Sequence, residues 1–364
     1  MKIAFYGSSL LSSYWNGAAT YYRGLLRDLA GRGYRIVFFE PDAFDRQQHR
    51  DIDPPEWAES RVYPATEDAV RRVIAEAATA DVVVKASGVG VFDDVLLEGV
   101  IAASRPDAIR IFWDVDAAAT LAELKTQPDH PLLRAMPSLD LVLTYGGGPP
   151  VVEAYEAFGA RRCVPIYNAL DPTTHFPVPP EPRFAADLAF LGNRLPDREA
   201  RVETFFLDVA ARLPNKRFLI GGNGWETKMM PPNVRHVGHV YSHEHNAFNT
   251  SPLAVLNIAR DSMAAMGFSP ATRVFEAAGA GGCLITDAWE GIELFLTPDE
   301  EVLVARDGAD VAEHLQQLDL SRARAIGEAA RARVLREHTY ALRGAQVAKI
   351  LEETSAQKRA RSAA

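Results

Sequence analysis

Phe176-Pro-Val-Pro-Pro-Glu-Pro-Arg183 decides how the chain is read. Its four prolines fix φ and supply no amide donors, so neither a helix nor a central strand runs through it. Residues 176–183 therefore read as a stiff, hinge-like connection. On both sides of it, short apolar runs alternate with helical patterns. Before it, strands are expected at Lys2–Tyr6, Arg35–Phe39, Asp81–Lys85, Ile109–Trp113, Leu139–Thr144 and Arg162–Tyr167. Helices are expected between them at Ala18–Ala30, Glu67–Ala78, Asp93–Ala103, Asp116–Leu124 and Pro149–Phe158. After it, strands are expected at Asp187–Leu191, Arg217–Ile220, Val234–Val237, Leu253–Asn257, Gly282–Thr286 and Glu301–Val304. The accompanying helices are expected at Arg198–Leu213, His243–Asn249, Pro270–Ala280, Gly308–Leu318 and Ser321–Thr339. A parallel return needs a crossover, so each half implies βαβ units around a parallel sheet. The expected organisation is an α/β domain over 1–175, the connection 176–183 and a second α/β domain over 184–339. Residues 340–364 follow as a last helix, about Tyr340–Glu353, and a polar tail, Ser355–Ala364, expected to fray. Ligands of such doubly wound sheets bind beyond the carboxyl ends of the strands, which places the expected ligand in an interdomain cleft.

Composition narrows the function classes. The 364 residues are 48% hydrophobic and 24% charged, which excludes a disordered, collagenous or coiled-coil chain. Lys and Arg number 39 against 48 Asp and Glu, a net charge of −9 that argues against a nucleic-acid or anionic-membrane binder. Cys163 and Cys283 lie in apolar runs and read as buried thiols, not as a disulfide framework or zinc site. No run reaches the roughly 18 apolar residues of a membrane span. Met1–Gly7 lacks a signal-peptide core, so the expected compartment is the cytoplasm.

The most informative motif is Ser269-Pro-Ala-Thr-Arg-Val-Phe-Glu276. Ser269 and Pro270 read as the cap and first position of a helix, whose N-terminal amides favour an anion. Thr272 lies in the first turn, and Arg273 adds a fork that matches phosphate. Glu276, one turn on and on the same face, suits a ribose diol. The competing reading is an ordinary helix with a surface Arg273–Glu276 ion pair. Three glycine loops follow strands nearby: Gly192-Asn193-Arg194, Gly221-Gly222-Asn223-Gly-Trp225 and Val237-Gly238-His239-Val240. They admit close backbone approach to a base or diphosphate, or are plain turns. Arg260 is a further phosphate candidate, although a lone arginine is more often a solvated charge.

In the first half, the loop after the first strand carries Trp15, Asn16 and Gly17 as acceptor-side candidates. Its glycine spacing is wrong for a dinucleotide fingerprint. A P-loop, a nucleophile elbow and a His-Glu-x-x-His pair are all absent. His243-Glu244-His245 has the wrong spacing for one helix face and reads as a polar helix start. Phe112-Trp-Asp114-Val-Asp116 ends a strand in two acids, candidates to orient or deprotonate an acceptor hydroxyl. Capping of the next helix is the alternative for Asp116. Gly146 and Gly147, after Tyr145, are further acceptor-side candidates.

Phe112-Trp-Asp-Val-Asp-Ala-Ala-Ala-Thr-Leu121, Thr144-Tyr-Gly-Gly-Gly148, Pro165-Ile-Tyr-Asn-Ala-Leu-Asp-Pro172 and Ser269–Glu276 occur here in one order. Together they resemble the CgeB-like (spore-maturation-protein-like) glycosyltransferases, which are similar to the family-4 enzymes of the GT-B fold. The resemblance covers about Ile109–Thr339. It implies a GT-B-like α/β architecture of two Rossmann-like doubly wound domains facing across a cleft. It further implies an NDP-sugar donor, UDP-sugar foremost, on the second domain, with Glu276 on the ribose and Arg273 with the Ser269–Thr272 turn on the diphosphate. An unidentified acceptor (glycan, small molecule or protein) would lie on the first domain, to which the last helix returns. No metal or other cofactor is implied, because arginines and a helix N-terminus stabilise the leaving group. Family-4 relatives often carry two glutamates separated by seven residues; Phe268 stands at the first position here. A sugar-nucleotide 2-epimerase and a nucleotide-sugar-binding module without turnover are the alternatives. A periplasmic-type binding protein shares the layout but is disfavoured by the absent signal peptide.

Overall fold

The computed structural model describes residues 1–14 and 16–363, with the side chains of 362 and 363 left aside. The chain divides into two compact units, Met1–Tyr167 with Tyr340–Ala364, and Asn168–Thr339.

The first unit is built on strands β1 (Lys2–Tyr6), β2 (Arg35–Asp42), β3 (Ala58–Pro64), β4 (Val82–Ala86), β5 (Ile109–Asp114), β6 (Leu141–Thr144) and β7 (Cys163–Pro165). They form one sheet in the order β3-β2-β1-β4-β5-β6-β7. Every pairing is parallel; Phe5, for example, lies opposite Phe38 of β2 and Val84 of β4. Helices cover both faces, so β1 and β4 are apolar almost throughout and buried. Strand β3 has no counterpart in the sequence reading. It is a half-exposed edge that reads Ala-Glu-Ser-Arg-Val-Tyr-Pro, with Glu59 and Arg61 paired at 2.7 Å. Charges blunt such an edge and also erase its apolar signature.

The second unit carries β8 (Leu188–Leu191), β9 (Phe218–Gly221), β10 (Val234–His236), β11 (Ala254–Asn257), β12 (Leu284–Asp287) and β13 (Leu303–Ala305). Their order is β10-β9-β8-β11-β12-β13, again all parallel. The strand order reverses between β8 and β11, the position at which doubly wound sheets open a crevice for ligands.

Two boundaries differ from the sequence reading. The division falls at Tyr167/Asn168, ahead of the proline run, which belongs to the second unit. There the Phe176 amide donates to Asn246 Oδ1 at 3.2 Å and the Glu181 amide to Ser251 Oγ at 2.8 Å. A buried Phe184 completes the attachment. At the other end, the last helix runs from Tyr340 to Ala363 instead of fraying after Glu353. It packs on the helix Ala18–Gly31 at close range: a Cβ on Gly24 would lie 2.2 Å from the Tyr340 ring. Lys358 Nζ then ties its final turns to Asp140 Oδ2 and the Ala108 carbonyl, each at 2.5 Å. Cys163 and Cys283 are free and buried. Among the described residues, no helix is long and apolar enough to cross a membrane.

Candidate functional site

The loops after β8, β9 and β10 meet through their backbones. The Asn223 amide donates to Asn193 Oδ1 at 3.0 Å, and the Arg194 amide to the Asn223 carbonyl at 2.9 Å. The Gly222 amide donates to the Gly238 carbonyl at 2.8 Å, and Asn223 Nδ2 lies 3.5 Å from His239 Nδ1. Asn193, Arg194, Gly222, Asn223, Gly238 and His239 are thus brought together at one rim of the sheet. Gly222 has φ +117°, and a Cβ there would lie 2.3 Å from the Gly192 carbonyl oxygen. Only glycine permits that approach. Trp225 is buried behind the rim and donates from Nε1 to the Gly192 carbonyl at 2.7 Å.

The candidate arginines of this rim differ in how they are held. Arg194 is bound by Glu199 through two bonds of 2.7 and 2.8 Å, which turns its guanidinium back onto the following helix. Arg260 pairs with Asp197. Arg198, not singled out as a site residue in the sequence reading, is half-buried. It lies in the helix Pro196–Val202 and donates to the Asn193 carbonyl at 2.7 Å. Its guanidinium stands 5.5 Å from the Phe190 ring centre, and its Nε is buried without a hydrogen-bond partner. Burial lowers the Arg198 pKa. Nearby Arg273 and Arg260 lower it further, against the opposing pull of Asp197 and Asp287. Arg260 and Arg273 each stand close enough to Arg198 to repel it, a repulsion that an anion would relieve. The only sequence signal for Arg198 was its place one turn after Arg194, which is also the mark of a solvated helix face.

The helix expected to begin at Pro270 begins at Thr272 and ends at Gly279, with Ala271 at its cap and no side-chain capping bond. Ser269 is therefore not the cap: its Oγ donates to the Gly267 carbonyl at 2.9 Å. Two neighbours hold the preceding residues out of helical geometry. Phe268 adopts a left-handed φ of 48° with its amide on the Glu290 carbonyl at 2.6 Å. The Pro270 carbonyl accepts from Asn168 Nδ2 at 2.9 Å. Phe268 packs its ring against Gly291.

Arg273 and Glu276 share a face as the spacing implies, but their pair is largely buried. Arg273 Nη1 lies 3.5 Å from Glu276 Oε2, and Arg273 Nε and Nη1 are buried and make no hydrogen bond. His175 Nε2 lies 3.8 Å from Glu276 Oε1, while His175 Nδ1 is held by Thr174 Oγ1 at 2.9 Å. Burial pushes the Glu276 carboxyl up, but His175, Arg273 and His245 together outweigh it and hold it below the usual carboxylate range. Burial drives His245 down to about 4, and Arg273 adds to the shift. His243 points elsewhere, stacking on Tyr241, so the His243-Glu244-His245 run does not act as a unit. Instead His175, His245 and Glu276 bring one ligand atom each within 4.8 Å, a spacing that a metal ion could draw together. The Arg273 guanidinium on the same carboxylate makes this an anion-favouring environment, which opposes a second cation.

In the first unit, Asp114 is fully buried. It accepts from Ser87 Oγ (2.7 Å), Thr120 Oγ1 (3.0 Å), the Asp116 amide (3.0 Å) and Tyr155 Oη. Burial raises its pKa against those bonds. This geometry corrects the assignment of Asp114 to the acceptor: the carboxylate anchors the end of β5. Asp116 caps the helix Ala117–Thr126 through the Ala119 amide at 3.4 Å. It also lines a cavity of 360 Å³ with Lys85, Asp94, Phe112, Glu123 and His130. Asn16 is corrected likewise: it is buried and binds Ser8 Oγ and the Ser9 and Ser12 carbonyls, locking the loop after β1. Gly17 precedes the helix Ala18–Gly31 with open space around it, and Trp15 lies outside the described residues. Gly146 and Gly147 are buried, and Gly147 (φ +96°) turns tightly over Val151. They form a closed turn and not an open cradle.

Residues 198–349 match the family model described as glycosyl transferase-like. No curated protein matches the chain. Among solved structures, sucrose-phosphate synthase from Thermosynechococcus elongatus is similar at 14% identity and TM-score 0.70, over 98% of this chain and 100% of that one. Anabaena HepE, solved with UDP and glucose, is similar at 14% identity and TM-score 0.68, over 97% and 100%. T4 phage BGT, solved with its UDP-glucose substrate, is similar at 13% identity and TM-score 0.58, over 97% and 99%. With its two parallel sheets and these similarities, the chain has the GT-B fold, and its match to the glycosyl transferase-like model falls within residues 198–349.

Proposed function

We propose that the protein transfers a hexose from a UDP-sugar to an acceptor hydroxyl, without a metal, as a CgeB-like glycosyltransferase. The observation that carries this reading is Arg198 on the Asn193 carbonyl of the first glycine loop, with Arg260 and Arg273 near enough to repel it. Supporting it, the similar Anabaena and T4 phage proteins were solved with UDP or UDP-glucose. In transfer, the bond from the anomeric carbon to the diphosphate oxygen breaks and a bond to the acceptor oxygen forms. Arg198 and Arg273 meet the charge that builds on the departing diphosphate, in a partly desolvated site where such contacts are strong. Arg260 adds to the same field. Glu276, ionised and held by His175 and Arg273, accepts from the ribose hydroxyls. On the acceptor side, Asp116 lines the first unit's cavity and takes the acceptor proton. Phe268 supplies no carboxylate to the donor sugar, so other groups grip it.

The test is UDP release from UDP-glucose with and without candidate acceptors. Slow hydrolysis without acceptor, accelerated by one of them, is expected. A protein that binds UDP but releases none under any condition would support a non-catalytic binding module, the second reading that Phe268 favours. A UDP-sugar that changes its stereochemistry without acceptor would point to the 2-epimerase.

A further inference from the structure

A cavity of 830 Å³ in the second unit has no part in the reading above. It lies at the far end of the helix Thr272–Gly279 from Arg273, where Ala280 and Gly281 form part of its wall. Eight residues at about 1.5 Å each separate the two ends by about 12 Å. Its other walls are the proline run, through Pro177 and Pro180, and the helix Leu320–Glu337. Arg324, Glu328, Arg331 and Leu335 follow one another at i, i+4, i+7 and i+11 and so line it from one helix face.

The charge of this cavity runs against that of the protein. Three arginines, Arg324, Arg331 and Arg336, face one glutamate, Glu328, in a chain of net charge −9. Arg336 is shared with Glu337 at 2.9 Å. Among the described residues, Arg324 and Arg331 have no ion pair and no hydrogen bond, and Arg331 Nε is buried without a partner. Arg324 and Glu328 stand four residues apart, the spacing of a helix ion pair, yet form none. A buried guanidinium nitrogen without an acceptor carries an uncompensated desolvation cost, which a ligand oxygen would remove.

We propose that this cavity is a second anion site, taking the phosphate monoester of a small hydroxylated molecule. A phosphate monoester carries about −1.5 to −2 charges near pH 7, matching the two unpaired forks. Arg324 and Arg331 bind the phosphate oxygens, Glu328 accepts from hydroxyls of the organic body, and the proline and leucine wall receives its carbon skeleton. A monocarboxylate would leave one guanidinium uncompensated.

The probe is glycerol phosphate, titrated calorimetrically into the full chain saturated with UDP, so that the Arg198–Arg273 site is occupied. Saturable one-to-one binding is expected, with none for glycerol. R324A and R331A should each weaken it at least tenfold, and R331K should weaken it less than R331A because the charge survives without the fork. Uridine diphosphate affinity should stay within twofold in all three variants. Should R331A melt early, the exposed R324A carries the test alone. Absence of saturable glycerol phosphate binding in the UDP-loaded wild type overturns the proposal, as does unchanged affinity in R324A and R331A. Co-sedimentation with phosphatidylglycerol vesicles that R324A abolishes, without binding of glycerol phosphate, also overturns it by assigning the arginines to a lipid headgroup.

Discussion

His175 Nε2 stands 3.8 Å from one oxygen of the Glu276 carboxylate, while Arg273 Nη1 stands 3.5 Å from the other. The carboxylate is thereby kept ionised despite its burial. If it reads the ribose, wild type should bind UDP more tightly than 2′-deoxy-UDP, and E276A should bind both about equally. Loss of a hydrogen bond to a charged group is worth about 1.5–3 kcal/mol, roughly ten- to a hundredfold in calorimetric affinity. Equal affinity of wild type for the two nucleotides would remove the assignment.

The same carboxylate makes stability depend on acid. Its folded pKa lies below its ordinary value. Its contribution is therefore complete above the unfolded value, about 4.3, and is lost as pH falls through the lower folded value. E276Q should lack this limb. Thermal midpoints of wild type and E276Q should converge below pH 4 more than at pH 7.

His245 has a different window. Its pKa falls from 6.5 to about 4 in the folded state. Between those values the unfolded chain binds the extra proton, so stability rises as pH increases from about 4 to 6.5 and is level above. H245Q should flatten that slope in urea denaturation, and an unchanged slope would contradict the burial of the neutral imidazole.

Arg198 should separate diphosphate from nucleoside. R198M removes a guanidinium whose own neighbours Arg260 and Arg273 disfavour it, so the thermal midpoint should hold or rise. UDP affinity should drop about tenfold or more while uridine affinity stays constant. A parallel loss for both ligands would place Arg198 in the scaffold.

Asp114 should behave in the opposite way. D114A leaves Ser87, Tyr155 and the Asp116 amide without this acceptor, while Thr120 keeps the Asp116 carbonyl. Each unsatisfied buried donor costs about 1–3 kcal/mol before relaxation, so a large fall in thermal midpoint is expected. UDP affinity measured below that midpoint should not change.

The parallel sheets were legible because their central strands, such as Lys2–Tyr6 and Leu188–Leu191, are apolar on both faces and bounded by polar turns. Ala58–Pro64 was not, because an edge strand with Glu59 and Arg61 has no such run. The shared face of Arg273 and Glu276 was legible from their spacing, and the three glycine loops from their place after strands. Arg198, His175 and His245 were not. Their surroundings arise from burial and from neighbours far away in sequence, which no local spacing encodes. Asp114 misled for the converse reason: a strand-end acid looks alike whether it meets a ligand or, as here, four internal donors. The helix start at Thr272 shifted because Pro270 and Phe268 are held by Asn168 and Glu290.

The bridge between Leu170 and Thr339, with the Leu170 amide on the His338 carbonyl at 2.7 Å, sets the entry and exit of the second unit side by side. That arrangement makes residues 168–339 a cassette. They form one uninterrupted insertion between residues 167 and 340, entered and left at neighbouring points. The rest of the chain therefore meets this module through a single pair of adjacent junctions.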